Sequence, residues 1–186
     1  TVFADCIHKL IPMELIHPNY SFAKSKEETL KDENPLPRAV FRPNSFQLLD
    51  GEWRFEVDDD DRGLRDGWHL GHHYIHNAMW PGSIEKHMEQ AKVQEGVKSW
   101  HDRIVAWYER EFTLPEKLDV SSQLMWQLTF GACGYETRVW LNGILIRTVE
   151  GEEVHVGEYT SFSYELIQEN LRPVNRITVR IADTMD

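Results

Sequence analysis

The sequence predicts an all-β fold, an antiparallel β-sandwich with a short helix in one long connection. Three observations carry this expectation. Apolar residues recur with period two through several short runs, the spacing that puts one set of side chains on one sheet face. The pair Asn142-Gly143 falls between two such runs, where a tight hairpin needs residues that tolerate positive φ. Helical spacing shows in a segment near residue 84, inside a long connection.

Taken in order, residues 1–45 differ from the rest. Ser25 to Asn34 is dense in Lys, Glu and Asp and is followed by Pro35-Leu36-Pro37. This reads as an exposed leader that wraps onto a domain, because it has too few apolar residues for a second core. The domain itself is expected over residues 46–186. Trp53, Phe55 and Val57 alternate with Arg54, Glu56 and Asp58, giving a first strand. Ser83 suits a helix N-cap, Ile84, Met88 and Ala91 share a face, and Gly96 suits a stop, so a helix is expected over 84–95. Residues 104–114 form a long strand-like run ended by Pro115. Leu124, Trp126, Leu128 and Phe130 alternate with polar neighbours, as do Tyr135, Thr137, Val139 and Leu141. Asn142-Gly143 then turns the chain into Ile144–Val149, and Ile177, Val179 and Ile181 mark a last strand. No internal repeat is visible at a fixed spacing.

Composition narrows the function. The chain has 186 residues and a formal net charge of −11. Such an acidic chain repels phosphate backbones and anionic membrane surfaces, which argues against nucleic acid and membrane as partners. No run approaches the roughly 18 to 20 apolar residues of a membrane span. The chain opens on Thr1, and Thr1 to Ile16 has no uninterrupted apolar segment of the signal-peptide kind. The compartment, cytoplasmic or periplasmic, is left open. Cys6 and Cys133 do not make a disulfide framework.

His69, His72, His73 and His76 crowd together, but no Cys pair or H-E-x-x-H pattern accompanies them, so no metal site is expected. The run Asp58-Asp59-Asp60-Asp61 puts Arg62 and His69 where a calcium loop needs oxygen ligands, and it reads instead as a solvated turn. Nucleophile elbows and Gly-rich phosphate loops are missing, and no cofactor is expected. Seven tryptophans offer flat apolar faces, most at core-facing positions. Trp107 and Trp140 are out of phase with the main apolar set and are expected to face outward or against another domain.

The motifs together resemble one family. Leu49-Asp50-Gly51-Glu52-Trp53-Arg54-Phe55 looks like the opening strand of the N-terminal domain of glycoside hydrolase family 2, which includes β-galactosidases, β-glucuronidases and β-mannosidases. Trp80-Pro81-Gly82-Ser83 is similar to the family's V-P-G-S loop, with Trp for Val. Residues Trp107 to Pro115 resemble its W-Y-x-R-x-F-x-x-P strand. Phe130-Gly131-Ala132 with Val139-Trp140-Leu141-Asn142-Gly143 resembles its F-x-A…V-W-x-N-G hairpin. Gly157 to Phe162 is similar to G-x-Y-T-P-F, with Ser161 for Pro, and Asn175 to Ile181 matches N-x-I-x-V-x-V. The resemblance covers residues 46–183.

The resemblance implies a jelly-roll sandwich of the galactose-binding-like type and a non-catalytic role. In the family both catalytic glutamates sit on a later α/β barrel, and the acid/base follows an Asn. No Asn-Glu dipeptide occurs here, and the length leaves no room for a barrel of about 250 residues. No catalytic residue is therefore assigned. The expected function is that of an accessory domain, packing on the barrel of a retaining β-glycosidase and shaping its carbohydrate site. A free-standing carbohydrate-binding module and a protein-binding sandwich are the alternatives. Residues 84–99 read as an insertion in a connection that approaches the active site in relatives. Trp100, His101 and Asp102 are accordingly the residues expected nearest a sugar. The expected partners are downstream sandwich and barrel domains and carbohydrate. The family fold continues past Asp186, so a sheet edge left open there is expected to favour self-association. Which sugar the parent cleaves is not written in these residues.

Overall fold

The computed structural model describes residues 8–13, 47–93, 104–114 and 125–183. Among them it forms β1 (His8–Met13), β2 (Gln47–Leu48), β3 (Gly51–Val57), β4 (His76–Trp80), α1 (Ile84–Ala91), β5 (Ile104–Phe112), β6 (Met125–Phe130), β7 (Glu136–Leu141), β8 (Ile144–Leu145), β9 (His155–Val156), β10 (Phe162–Leu166) and β11 (Asn175–Asp183). The smaller sheet runs β10-β6-β1-β2. The larger runs β4-β3-β5-β11-β7-β8, with β9 also on β7. Every ladder pairs antiparallel, as an all-β sandwich requires.

Alternation builds the core. Trp53 and Phe55 of β3, Tyr108 of β5, Val139 and Leu141 of β7 and Ile177 and Val179 of β11 face Trp126, Leu128 and Phe130 of β6 and Tyr164 of β10. All are buried. Burial of each large apolar side chain contributes about 1.5–3 kcal/mol, so this interleaved layer is the main source of stability.

The hairpin forms where expected. Asn142 (φ 52°) and Gly143 (φ 85°) both take the left-handed region, and Leu141 pairs with Ile144. Its second arm is shorter than the sequence suggests, two residues in β8; the Ile146 N–H still donates to the Val139 carbonyl, and Thr148 then bridges to Tyr164 of β10. The helix is also shorter than expected. Ser83 Oγ accepts from the Lys86 N–H at 3.3 Å and caps it, but Lys92 (φ 52°) ends it in the left-handed conformation before Gly96 is reached. No helix among the described residues is long and apolar enough to cross a membrane.

Trp107 and Trp140 do face outward from the larger sheet, stacked with ring centroids 5.2 Å apart. They are nevertheless buried. The connection 58–75 folds over them as a strap and, with Val105, Ala182 and Tyr74, completes a second small core. The chain's own loop does what another domain was expected to do.

Candidate functional site

The strap explains the histidine and aspartate clusters. Asp58 is buried, and its carboxylate accepts the N–H groups of Arg62 (2.8 Å) and Gly63 (2.7 Å) and the indole N–H of Trp107 (3.1 Å). It is a structural anchor, where the sequence suggested a solvated turn. A Cβ on Gly63 would lie 2.6 Å from the Trp107 indole nitrogen, so only glycine lets the strap come this close. Asp61 pairs with Arg180 at 2.5 Å. His69 stacks on Trp140, while His72 stacks on Trp68 and bonds Glu56 at 2.9 Å. Among the described residues no group of three His, Cys, Asp or Glu is arranged to hold a metal. Burial, and then the Arg176 guanidinium, hold His69 below the ordinary histidine range.

A concave feature lined by several acids lies elsewhere, at one end of the sandwich. Three separate segments converge there. The first is the Trp80–Ser83 connection with α1, which brings Glu85. A Cβ on Gly82 would sit 2.5 Å from His87 Nε2, so the connection and helix are closely fitted. The second is the pair of turns at 134 and 157–158. Gly157 N–H donates to the Tyr135 carbonyl at 2.9 Å, and a Cβ on Gly134 would fall 2.5 Å from the Gly157 carbonyl oxygen. This close approach carries Glu158. The third is the end of β11, where Asp183 pairs with Ile104 at the start of β5.

Trp80, Tyr108, Ile84 and Ile181 make the apolar walls of the resulting notch, and Glu85, Glu158 and Asp183 are its acids. Its volume is ≈ 30 Å³, room for a water-sized group and far below the ~300 Å³ of a typical small-molecule pocket. It can receive one hydroxyl but not a sugar ring. Burial raises the Asp183 carboxyl above its ordinary range, and the charges of Glu85 and Glu158 push the same way. Tyr159, next in sequence to Glu158, is largely exposed, and the Glu158 carboxylate raises its hydroxyl above the ordinary tyrosine range. The arrangement offers acceptors for a donor and repels anions.

Trp100, His101 and Asp102 lie outside the described residues. The described residue that follows them, Ile104, opens β5 opposite Asp183. The three acids of the notch were not singled out by sequence. They come from segments nearly 100 positions apart, in a chain with 31 acidic residues, and nothing local marks them.

Comparison with known proteins gives a consistent result. Residues 63–186 match the family model described as the beta-galactosidase second all-beta domain. A beta-glucuronidase of Paenibacillus borealis is 26% identical over 106 residues, covering 55% of this chain and 16% of that protein. The structure of a Ruminococcus gnavus beta-glucuronidase superposes with TM-score 0.56 at 26% identity, covering 74% of this chain and 21% of the other. The same organism's enzyme in complex with uronic deoxynojirimycin gives TM-score 0.53, also at 26% identity, over 74% and 21% of the two chains. This chain thus spans about a fifth of the length of these relatives or less.

Proposed function

The chain belongs to the beta-galactosidase second all-beta domain family, a domain of glycoside hydrolase family 2, and from that premise we propose its role within a longer enzyme. It is the non-catalytic domain that packs against the catalytic barrel of a β-glycosidase and shapes one wall of the carbohydrate site. The observation that carries this reading is the family match over 63–186, which takes in the notch and nearly all of the larger sheet. The notch is the end we assign to the sugar. Three carboxylates accept from hydroxyl groups, and the exposed Tyr159 ring suits a sugar's C–H face. Trp100, His101 and Asp102 precede the strand that begins beside Asp183, and we assign them to the same end. We read residues 1–45 as a leader to the domain; within it β1 (His8–Met13) pairs with β6 and β2, which supports that reading.

Two measurements test the reading. The isolated chain is expected to leave aryl β-glucuronides and aryl β-galactosides intact, and steady turnover of either would overturn the non-catalytic assignment. In the longer enzyme, Asp183→Asn is expected to raise KM several-fold with a smaller change in kcat. Unchanged KM and kcat would remove the notch from the carbohydrate site.

A further inference from the structure

His87 is fully buried in the core, one turn into a short surface helix, where an apolar side chain would serve packing as well. Its two ring nitrogens are both committed. Nε2 lies 3.0 Å from the Met79 carbonyl oxygen, which can only accept, so Nε2 carries the hydrogen. Nδ1 is therefore the acceptor, and the Tyr108 hydroxyl donates to it at 2.9 Å. Through one imidazole, α1 is tied to β4 by Met79 and to β5 by Tyr108. The ring also meets Phe55 of β3 edge-on. Gly82 closes the arrangement, since any side chain there would meet the imidazole. Trp80, Gly82, Glu85 and Tyr108, all of which line the notch, are thus held by or directly beside this one residue.

We propose that His87 is the positioning residue of the notch: its neutral Nε2–H form locks α1, the Trp80–Ser83 connection and Tyr108 into one wall and so presents Glu85 toward Asp183 and Glu158. Helix docking alone needs no such ring, because Ile84, Met88 and Ala91 already pack α1 on the core. A ring with two directional bonds fixes the helix's rotation and height as well, and these decide where Glu85 points. Burial holds the imidazole below the ordinary histidine range, which keeps it neutral at pH 7. The charged groups acting on it are Lys86 and Glu85 of its own helix, while β3, β4 and β5 offer Phe55, the Met79 carbonyl and Tyr108.

The inference rests on reading the notch as the sugar-facing end, but it is tested on the 186-residue chain without substrate, so its failure is distinct from a failure in the turnover assays. Nitrogen-15 NMR of the native chain at pH 7 is expected to show His87 neutral with the hydrogen on Nε2. The Nδ1–H form, or a cationic ring, would overturn the proposal. The second readout is the titration midpoint of Asp183, which Glu85 helps to raise. In His87→Leu both bonds are lost, Glu85 moves, and the midpoint is expected to drop. In His87→Gln the amide can donate to Met79 and accept from Tyr108, and the midpoint is expected to stay near native. An unchanged Asp183 midpoint in a folded His87→Leu chain would reduce His87 to a helix anchor and refute the positioning role. Should His87→Leu not fold, the tautomer measurement and the His87→Gln midpoint decide the matter.

Discussion

Removing the Asp58 carboxylate should cost the fold about 4 kcal/mol, and the structure shows why. The carboxylate accepts three N–H groups. The Arg62 N–H is only partly buried and can turn to water when its acceptor goes. The Gly63 N–H and the Trp107 indole N–H are buried and cannot. Each orphaned buried donor costs about 1–3 kcal/mol, so two give roughly 4 kcal/mol for Asp58→Ala. With a urea m-value of about 2 kcal/mol per M, the unfolding midpoint should fall by about 2 M. Urea titration followed by tryptophan fluorescence measures this directly, since Trp68, Trp107 and Trp140 all lie under or in the strap. The Trp107→Phe background sharpens the test, because Phe has no N–H to orphan. There Asp58→Ala should cost less by about 1–3 kcal/mol. A cost below about 1 kcal/mol, or identical costs in both backgrounds, would show that Asp58 does not anchor the strap.

Other consequences are as specific. Gly134→Ala places a Cβ against the Gly157 carbonyl oxygen and Glu158 Cα, both backbone-borne and unable to swing aside, so it should lose about 1–3 kcal/mol in urea titration and shift the Glu158 amide signal. Asp183→Asn relieves a carboxylate whose folded pKa is raised, so it should stabilise the isolated chain at pH 7, with the gain fading as acid protonates the native Asp183; destabilisation at pH 7 would contradict a carboxyl raised by burial and by its acidic neighbours. His69, His87 and His155 are all depressed chiefly by burial, so the unfolded chain takes up protons first and stability should fall as pH drops below about 6.5, until the folded pKa values are passed. The raised carboxyls Glu109 and Asp183 bind protons more readily folded than unfolded, which gives back stability at lower pH. A urea midpoint flat between pH 8 and 5 would refute the histidine contribution. Deleting residues 1–13 removes β1 from its place between β6 and β2 and opens the β6 edge, so size-exclusion chromatography should show larger species than the intact chain does.

Much of the fold was legible because the motif residues meet one another in space. Trp53 donates its indole N–H to the Leu49 carbonyl at 2.8 Å, and Arg110 donates to the carbonyls of Leu49 and Asp50, so the opening strand and the W-Y-x-R strand are one structural unit. Asn142 of the hairpin donates to Asn175 Oδ1 and accepts the Arg176 N–H, which binds the N-G turn to the start of the last strand. Residue types with so few substitutes for their hydrogen-bond geometry leave recognisable spacing. Nothing in the composition of the first 45 residues marks β1, because its pairing with β6 is a long-range event that local composition does not encode. The strap was hidden for a similar reason. Period two showed that Trp107 and Trp140 point outward, but their cover depends on a buried aspartate and a close-packed glycine, which read locally as a polar turn.

That distinction bears on where function resides. Two surfaces of the larger sheet were open to a functional reading, the outward tryptophans and the end of the sandwich. The first is closed by the chain itself: Trp107 and Trp140 are buried, His69 and His72 are spent on stacking, and Glu109 is held by Arg54, at 3.0 Å, and by Thr178. A ligand would have to displace a strap fastened by Asp58 and by the Asp61–Arg180 pair. The second keeps a carboxyl whose pKa is raised by burial first and then by two neighbouring carboxylates, a cost that a single Asp183→Asn exchange would relieve. Charge crowding retained at an accessible edge, beside closely packed backbone at Gly134 and a fully bonded buried histidine, places the cost of this fold at the notch and makes that end the one to test against carbohydrate.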